Sequence, residues 1–460
     1  MEKWKQRIKK CKAWNKAINC MIMIMCSFLL CGMFEMMVVA DRVSQAGTEE
    51  KGGKRTEAEK NLDASLHAGA AVLLDMDSGR ILYEKNGNEI LPMASTTKIM
   101  TCIVALESGC LEDTVTASTY AAAQPKVHLG MQKGVTYRMT DLLYSLMLES
   151  HNDSAVAIAE HIGAKKLQLP EPVERTKEQS REAVKIFCDK MTQKAKELSC
   201  ENTHFLTPNG LDAEVTSDSG KKIRHSTTAA ELAKIMDYCV TRSEYRDKFL
   251  EITQTPAYAF TDTEGKRNYS CVNHNALLTM LNGVISGKTG FTNQAGYCYV
   301  GALEKDGKQF ALALLACGWP GHKSWKWEDS KRLFAYGLEN YEYREFTPEI
   351  KINPITVENG ASKNGNPWEL VSIMPEKENQ NICLRLLTRA DESVRTELVE
   401  DERIQAPVEM GKNVGCITYY LENGFGSRME LGGEKLYLAE EIEAKDFRFM
   451  LRYIGKRFLL

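Results

Sequence analysis

The spacing of apolar residues changes several times along this 460-residue chain, and each change predicts an element. Residues 41–64, DRVSQAGTEEKGGKRTEAEKNLDA, hold almost no apolar positions and read as a flexible spacer. Order begins with AGAAVLLDMDSGRILYEKN, where two apolar runs flank Ser78-Gly79 as in a β-hairpin. From Ser95 to about residue 245 the spacing is mostly helical, as in TDLLYSLMLES and SAVAIAEHI. The stretch LPEPVERTKEQSREAVKIFCDKMTQKAKEL opens with prolines and becomes a long polar-faced helix, and STTAAELAKIMDYCV opens on a serine cap. Strand alternation returns in VISGKTGFT, AGYCYVGALEKDG and KQFALALLACG, with Asp306-Gly307 as a tight turn between the last two. A helix through SKRLFAYGLENY ends this region near residue 342. Strands at both ends and helices between them predict one α/β unit, its sheet closed by the two ends of the domain.

Beyond that point short alternating runs and Gly/Asn turns predict a small β-rich domain over about 345–440. The tail KDFRFMLRYIGKRFLL changes period again. On a helix Phe447, Met450, Leu451, Ile454 and Phe458 share one stripe, with Arg448, Arg452 and Lys456 opposite. A basic amphipathic helix over 441–460 suits an anionic membrane surface. At the other end, a basic stretch (residues 1–16) precedes the apolar run AINCMIMIMCSFLLCGMF and small residues before Asp41. Residues 1–40 therefore read as a secretory signal peptide cut after Ala40 or as an uncleaved signal anchor, and both place the rest outside the cytoplasm.

Composition narrows the function classes. A net charge of -3 gives no basic excess, so no nucleic-acid partner is expected. Of the 14 cysteines four precede Asp41, and the other ten are scattered singly in apolar contexts such as FCDK and LLACG. These read as buried free thiols rather than a disulfide framework. No C-x-x-C pair or H-E-x-x-H helix is present, so neither a metal nor a cofactor is expected.

Three short motifs carry chemistry. In MASTTKIMT, Ser95 and Lys98 lie three apart at a helix start and face the same way, so Lys98 is placed to take the proton of Ser95. A lysine does this only when partly neutral, which calls for burial and a second cation nearby. In LMLESHNDSAVAIAEHI, Ser150 and Asn152 can be presented together on a loop, Ser150 relaying a proton and the Asn152 amide holding substrate backbone. His151 between them is expected to face solvent. In GVISGKTGFTNQAGYC, Lys288 is the second cation, Thr289 a partner for a carboxylate, and Gly290 leaves room for a peptide along the strand edge.

S-x-x-K on a helix, S-x-N in a loop and K-T-G on a strand, in that order, resemble the penicillin-binding proteins and serine β-lactamases. PMASTTKIMT, LESHNDSAVAIAEHI, NTHFLTPNGLD and GKTGFTNQAGYC resemble one branch, the serine D-Ala-D-Ala carboxypeptidases, over nearly the whole mature chain. That resemblance implies an α/β (α+β) transpeptidase-like catalytic domain over 65–343, with helices on both faces of its sheet. It implies that Ser95 attacks a peptidoglycan stem peptide ending in D-Ala-D-Ala, with Ser95, Lys98 and Ser150 catalytic and Asn152, Lys288, Thr289, Gly290 and Phe291 binding. The backbone N–H groups of Ser95 and Phe291 would form the oxyanion hole, and β-lactams would acylate Ser95. His151 stands where the family more often has a small residue, and 165–185 is longer than usual there. A class A β-lactamase would need an E-x-x-L-N-like loop, which Glu171 and Glu174 do not supply. A sensor that is acylated and does not turn over, and a structural wall protein that is never labelled, complete the rivals.

Overall fold

The computed structural model describes residues 56–458 apart from Asp218, Gln380 and Asn381. The export segment expected over 1–40 lies outside the described residues. These residues form two compact units, one ending at Glu342 and one beginning at Tyr343.

The first unit is built on a five-stranded antiparallel sheet. The strands are β1 (Ala70–Asp75), β2 (Ile81–Lys85), β3 (Val284–Thr292), β4 (Gly296–Lys305) and β5 (Lys308–Leu315), in the spatial order β2-β1-β5-β4-β3. The chain ends of the unit meet where β1 pairs with β5, from Ala70 opposite Leu315 to Asp75 opposite Phe310. Every residue of β1 is buried, as a strand covered on both faces requires. Asp306 and Gly307 both take positive φ, 54° and 71°, which is what a two-residue β4–β5 hairpin demands. The strand holding Lys288–Gly290 is β3, at the edge of the sheet.

The helices between β2 and β3 include α1 (Lys98–Leu106), α2 (Asn152–Leu167), α3 (Lys177–Glu197) and α4 (Ala229–Asp237); α5 (Trp325–Asn340) follows β5. All nine residues of α1 are buried, so it forms the centre of the unit. Its neighbours α2, α3 and α4 bury apolar residues around it, among them Ile158, Phe187 and Leu232. One long core cluster runs from Ala70 to Leu315.

Several expectations need correcting. The spacer expected over 41–64 is helical from Glu57 to Ser65, because Thr56 and Glu59 form a reciprocal capping box and Leu62 is buried. The cap of α4 is Thr228, whose side chain accepts from Glu231 N, and not the serine before it. Two hairpins of three-residue strands, Thr114–Thr116 with Thr136–Arg138 and Glu214–Thr216 with Lys222–Arg224, interrupt the helical middle. Strands that short carry too few residues to show a period. Eight of the ten described cysteines are buried free thiols, but Cys383 and Cys416 are exposed.

The second unit is β-rich, with a four-stranded antiparallel sheet that includes the long hairpin Asn413–Glu422 and Arg428–Leu438. Its own core includes Ile355, Val357, Ile404, Ile417, Leu436 and Ile442. A final helix, α6, spans Phe447–Phe458. No helix among the described residues is long and apolar enough to cross a membrane.

Candidate active site

Ser95 sits in a 3-10 turn, Ala94–Thr97, that leads directly into α1. Hydroxyls lock this turn: Thr96 Oγ1 donates to Met93 O at 2.5 Å and Thr97 Oγ1 to Ala94 O at 2.7 Å. Ala94 is held at φ 48°, so the chain turns sharply just before the serine. Ser95 is half-buried among buried neighbours, which leaves its hydroxyl as the accessible polar group of the turn.

Lys98, the first residue of α1, is fully buried, and its Nζ donates to Ser95 Oγ at 3.0 Å, to Asn152 Oδ1 at 3.0 Å and to Asn209 O at 2.5 Å. Burial pushes the Lys98 ammonium well below the usual lysine range, the Lys288 charge pushes it further, and Asp153 opposes both. A lysine in this state spends time as a neutral amine one hydrogen bond from a hydroxyl.

Ser150 and Asn152 come from the break before α2. Ser145–Glu149 is a π-helical stretch, Ser150 ends it in the left-handed region at φ 64°, and Asn152 begins α2. Lys288 Nζ donates to Ser150 Oγ at 3.0 Å and to Thr289 O at 2.9 Å. Burial pushes Lys288 down to about 7. Thr289 is half-buried and Phe291 is exposed on β3. A Cβ at Gly290 would lie 2.9 Å from Ser95 N and 3.0 Å from Thr96 N, so the bare strand backbone passes directly over the amide of the serine. The structure thus forms two hydrogen-bonded groups, Ser95–Lys98–Asn152 and Ser150–Lys288, with Gly290 against the start of the first.

Sequence reasoning missed several contributors. Asn209 offers its carbonyl to both Lys98 Nζ and Ser95 Oγ (3.4 Å), and its side-chain amide donates to Gln124 Oε1 at 3.3 Å. The turn signal Pro208-Asn209-Gly210 marks the place but not the role. Gly210, at φ 85°, packs so closely that a Cβ would lie 2.1 Å from Ala94 O. Asn152 Nδ2 donates to Pro125 O at 3.1 Å, and the carboxylate of buried Asp153 accepts the backbone N–H groups of Leu129, Gly130 and Met131. Those bonds hold the 125–131 segment against the start of α2.

His151, expected to face solvent, is buried. Its Nδ1 lies 2.8 Å from Ser145 Oγ, which also bonds Ser154 Oγ, so it braces the Ser150 turn from inside. Burial lowers its pKa.

His225 is likewise more than a lead-in to a helix. Its Nδ1 accepts the Leu206 N–H at 3.0 Å, which leaves Nε2–H to donate to Thr97 Oγ1 at 2.8 Å, behind the serine turn. Burial, with the Lys98 charge, pushes His225 down to about 3. Protonation would turn Nδ1 into a donor facing another donor. Because the unfolded chain binds this proton from about pH 6.5 downward and the folded chain resists it to about 3, stability falls as pH drops through that window. The slope is at most about 1.4 kcal/mol per pH unit. Urea midpoints at pH 7 and pH 4.5 should separate more for the natural chain than for His225→Gln; equal separations would assign the acid sensitivity to other groups.

The comparisons with known proteins agree on one kind of molecule. The family model described as D-alanyl-D-alanine carboxypeptidase (peptidase S11) matches residues 54–169 and 180–317. The part left out, 170–179, falls within the 165–185 stretch; there Arg175 Nε donates to Pro170 O at 2.6 Å and Arg175 reaches buried Glu160 at 3.3 Å. The chain is similar to a D-alanyl-D-alanine carboxypeptidase, DacF, of Bacillus subtilis, 27% identical over 79% of this chain and 83% of that protein. It is 32% identical to a D-alanyl-D-alanine carboxypeptidase of Streptomyces sp. strain K15, over 57% of this chain and 84% of that protein. Among solved structures, the D-alanyl-D-alanine carboxypeptidase DacD of Francisella tularensis covers 86% of this chain and 98% of its own, with a TM-score of 0.58 at 21% identity. At that identity the likeness is one of fold.

Proposed function

We propose, from the premise that this chain belongs to the D-alanyl-D-alanine carboxypeptidase family, that it removes the terminal D-alanine from peptidoglycan stem peptides through an acyl-enzyme on Ser95. The observation that carries this reading is the fully buried Lys98, its Nζ 3.0 Å from Ser95 Oγ.

Neutral Lys98 takes the hydroxyl proton as Ser95 Oγ attacks the carbonyl carbon of the penultimate D-alanine. The oxyanion is held by the backbone N–H groups of Ser95 and Phe291; in support, Gly290, the residue before Phe291, lies against the Ser95 amide. Ser150 passes the proton to the departing amine; its oxygen already accepts from Lys288, so its own O–H is available to donate. Lys288 and Thr289 hold the terminal carboxylate, and Asn152 holds the peptide backbone. Water then attacks the ester, with Lys98 again the base, and releases the shortened peptide. A β-lactam enters the same path and acylates Ser95. No step calls on a metal or a cofactor.

The substrate lies in the cell wall, so the enzyme acts outside the cytoplasm. In the domain division that fits this reading, residues 1–40 direct export, 65–343 catalyse, 345–440 form the β-rich domain and 441–460 bind the membrane surface. The last point is supported by α6: Phe447, Leu451 and Ile454, on one stripe, are exposed rather than packed on their own unit, which Phe449 enters deeply.

The test is release of D-alanine from a diacyl-Lys-D-Ala-D-Ala peptide. One D-alanine per peptide, catalytically and blocked by penicillin, is expected. Stoichiometric penicillin labelling with no release at all would replace the enzyme by a β-lactam sensor.

A further inference from the structure

We propose that the loop Asn366–Leu370 of the second unit is a second point of contact with an anionic phospholipid bilayer, beside α6. The inference rests on the membrane reading of that helix. Trp368 and Leu370 are 82% and 86% exposed, more than any other large apolar side chain among the described residues, and Phe447 at the start of α6 follows at 77%. Exposure of that degree at a Trp and a Leu two apart is costly on a surface that meets only water.

The loop is built, not slack. Ser362 Oγ donates to Asn366 O at 2.7 Å, Asn364 Oδ1 accepts from Asn366 N at 2.9 Å, and Asn366 Oδ1 accepts from Trp368 N at 3.1 Å. With these backbone groups already bonded, the tip can enter a headgroup layer without leaving them unsatisfied.

The loop is also tied to the root of α6. Ala361 N donates to Glu443 O and Lys445 N to Asn359 O, both at 2.7 Å, so the two segments run side by side. Lys445 Nζ then donates to Glu369 O at 2.9 Å, between the two exposed apolar residues and two positions before α6 begins. The exposed apolar tip and the exposed apolar stripe therefore belong to one surface.

Charge identifies the occupant. Residues 443–458 carry five basic side chains (Lys445, Arg448, Arg452, Lys456 and Arg457) and two acidic ones, Glu443 and Asp446. Within α6 itself every charge is positive. The loop tip carries one exposed carboxylate, Glu369, between Trp368 and Leu370, and Lys445 reaches the same residue, so the cations lie on the α6 side. Apolar tips beside a cationic helix fit anionic lipid headgroups, with the indole at the interface, where tryptophan is favoured. Two contacts in place of one fix how the second unit stands on the surface, where a lone helix would let it roll.

The experiment places the full chain on vesicles of phosphatidylglycerol and phosphatidylcholine with brominated acyl chains and reads tryptophan quenching. The difference between the natural chain and Trp368→Phe reports the loop. Leu451→Trp in the Trp368→Phe background reports the helix. Quenching at both positions, lost when phosphatidylglycerol is replaced by phosphatidylcholine, is the expected result. Quenching at 451 without quenching at 368 overturns this proposal and leaves the helix reading standing. Quenching at neither overturns both, and quenching at 368 alone overturns the paired surface.

Discussion

Ser95→Ala should abolish acylation, and Lys98→Met should lower its rate about a thousandfold or more. The two side chains share one proton across 3.0 Å, so removing either removes the same step. Methionine nearly matches the lysine in shape and relieves the burial of a charge, although Asn152 Oδ1 and Asn209 O lose their donor. Thermal unfolding of Lys98→Met should therefore stay close to that of the natural chain. The measurement is covalent labelling by a fluorescent penicillin, followed in time beside the unfolding curve. Rapid labelling of a folded Lys98→Met protein would remove Lys98 from the role of base.

On the proposed mechanism Lys98 and Lys288 should set the pH profile. Acylation rises with pH as Lys98 loses its proton, and this limb lies low because burial and the Lys288 charge both push Lys98 down. It falls as Lys288, at about 7, loses the charge that faces the substrate carboxylate. The two limbs belong to the coupled pair. In Lys288→Met the depressing cation is gone, so the rising limb should move to higher pH while the falling limb disappears. A rising limb that stays in place would mean that burial alone tunes Lys98.

The side chains that the site brings together were legible because each is a type with a reason to occur where it does. Lys98 follows Ser95 by three positions, and Lys288 answers the need for a second cation that a basic Lys98 creates. The sheet was legible too, since long strands such as β3 to β5 show their period. What could not be read depends on contacts between distant segments. Lys98 meets Asn152 across 54 positions and Lys288 meets Ser150 across 138, and nothing local to either records the pairing. Asn209 contributes a backbone carbonyl, a group every residue has, so no residue type announces it. His151 and His225 looked ordinary because a histidine's burial depends on which segments cover it; His225 donates to Thr97, 128 positions away, and His151 bonds Ser145 across the left-handed turn at Ser150. The helix over 57–65 was misread for the opposite reason. Its composition is that of a spacer, and its capping box was outweighed by the lack of apolar residues.

Gly290→Ala should cut acylation by up to about a hundredfold in a protein that still folds. Gly290 does not sit in the left-handed region, so alanine costs nothing in backbone conformation. The penalty is steric: the new methyl would lie 2.9 Å from Ser95 N, 3.0 Å from Ala94 Cβ and 3.0 Å from Thr96 N. Two of those three atoms are backbone of the turn that presents the nucleophile, and that turn is locked by Thr96 and Thr97. Strand and turn must part by several tenths of an ångström, which misplaces the attacking oxygen and the Ser95 amide together, and misplacements of about 1 Å cost about a hundredfold. Gly210→Ala meets the same turn from the other side under harsher conditions, at φ 85° with Ala94 O only 2.1 Å from the new methyl. There both conformation and space fail, so stability should be lost along with activity. Labelling rates and urea midpoints of the two variants separate the cases. A Gly290→Ala protein that labels at the natural rate would show that the strand does not press on the serine turn, and the oxyanion role given to Ser95 and Phe291 would fail with it.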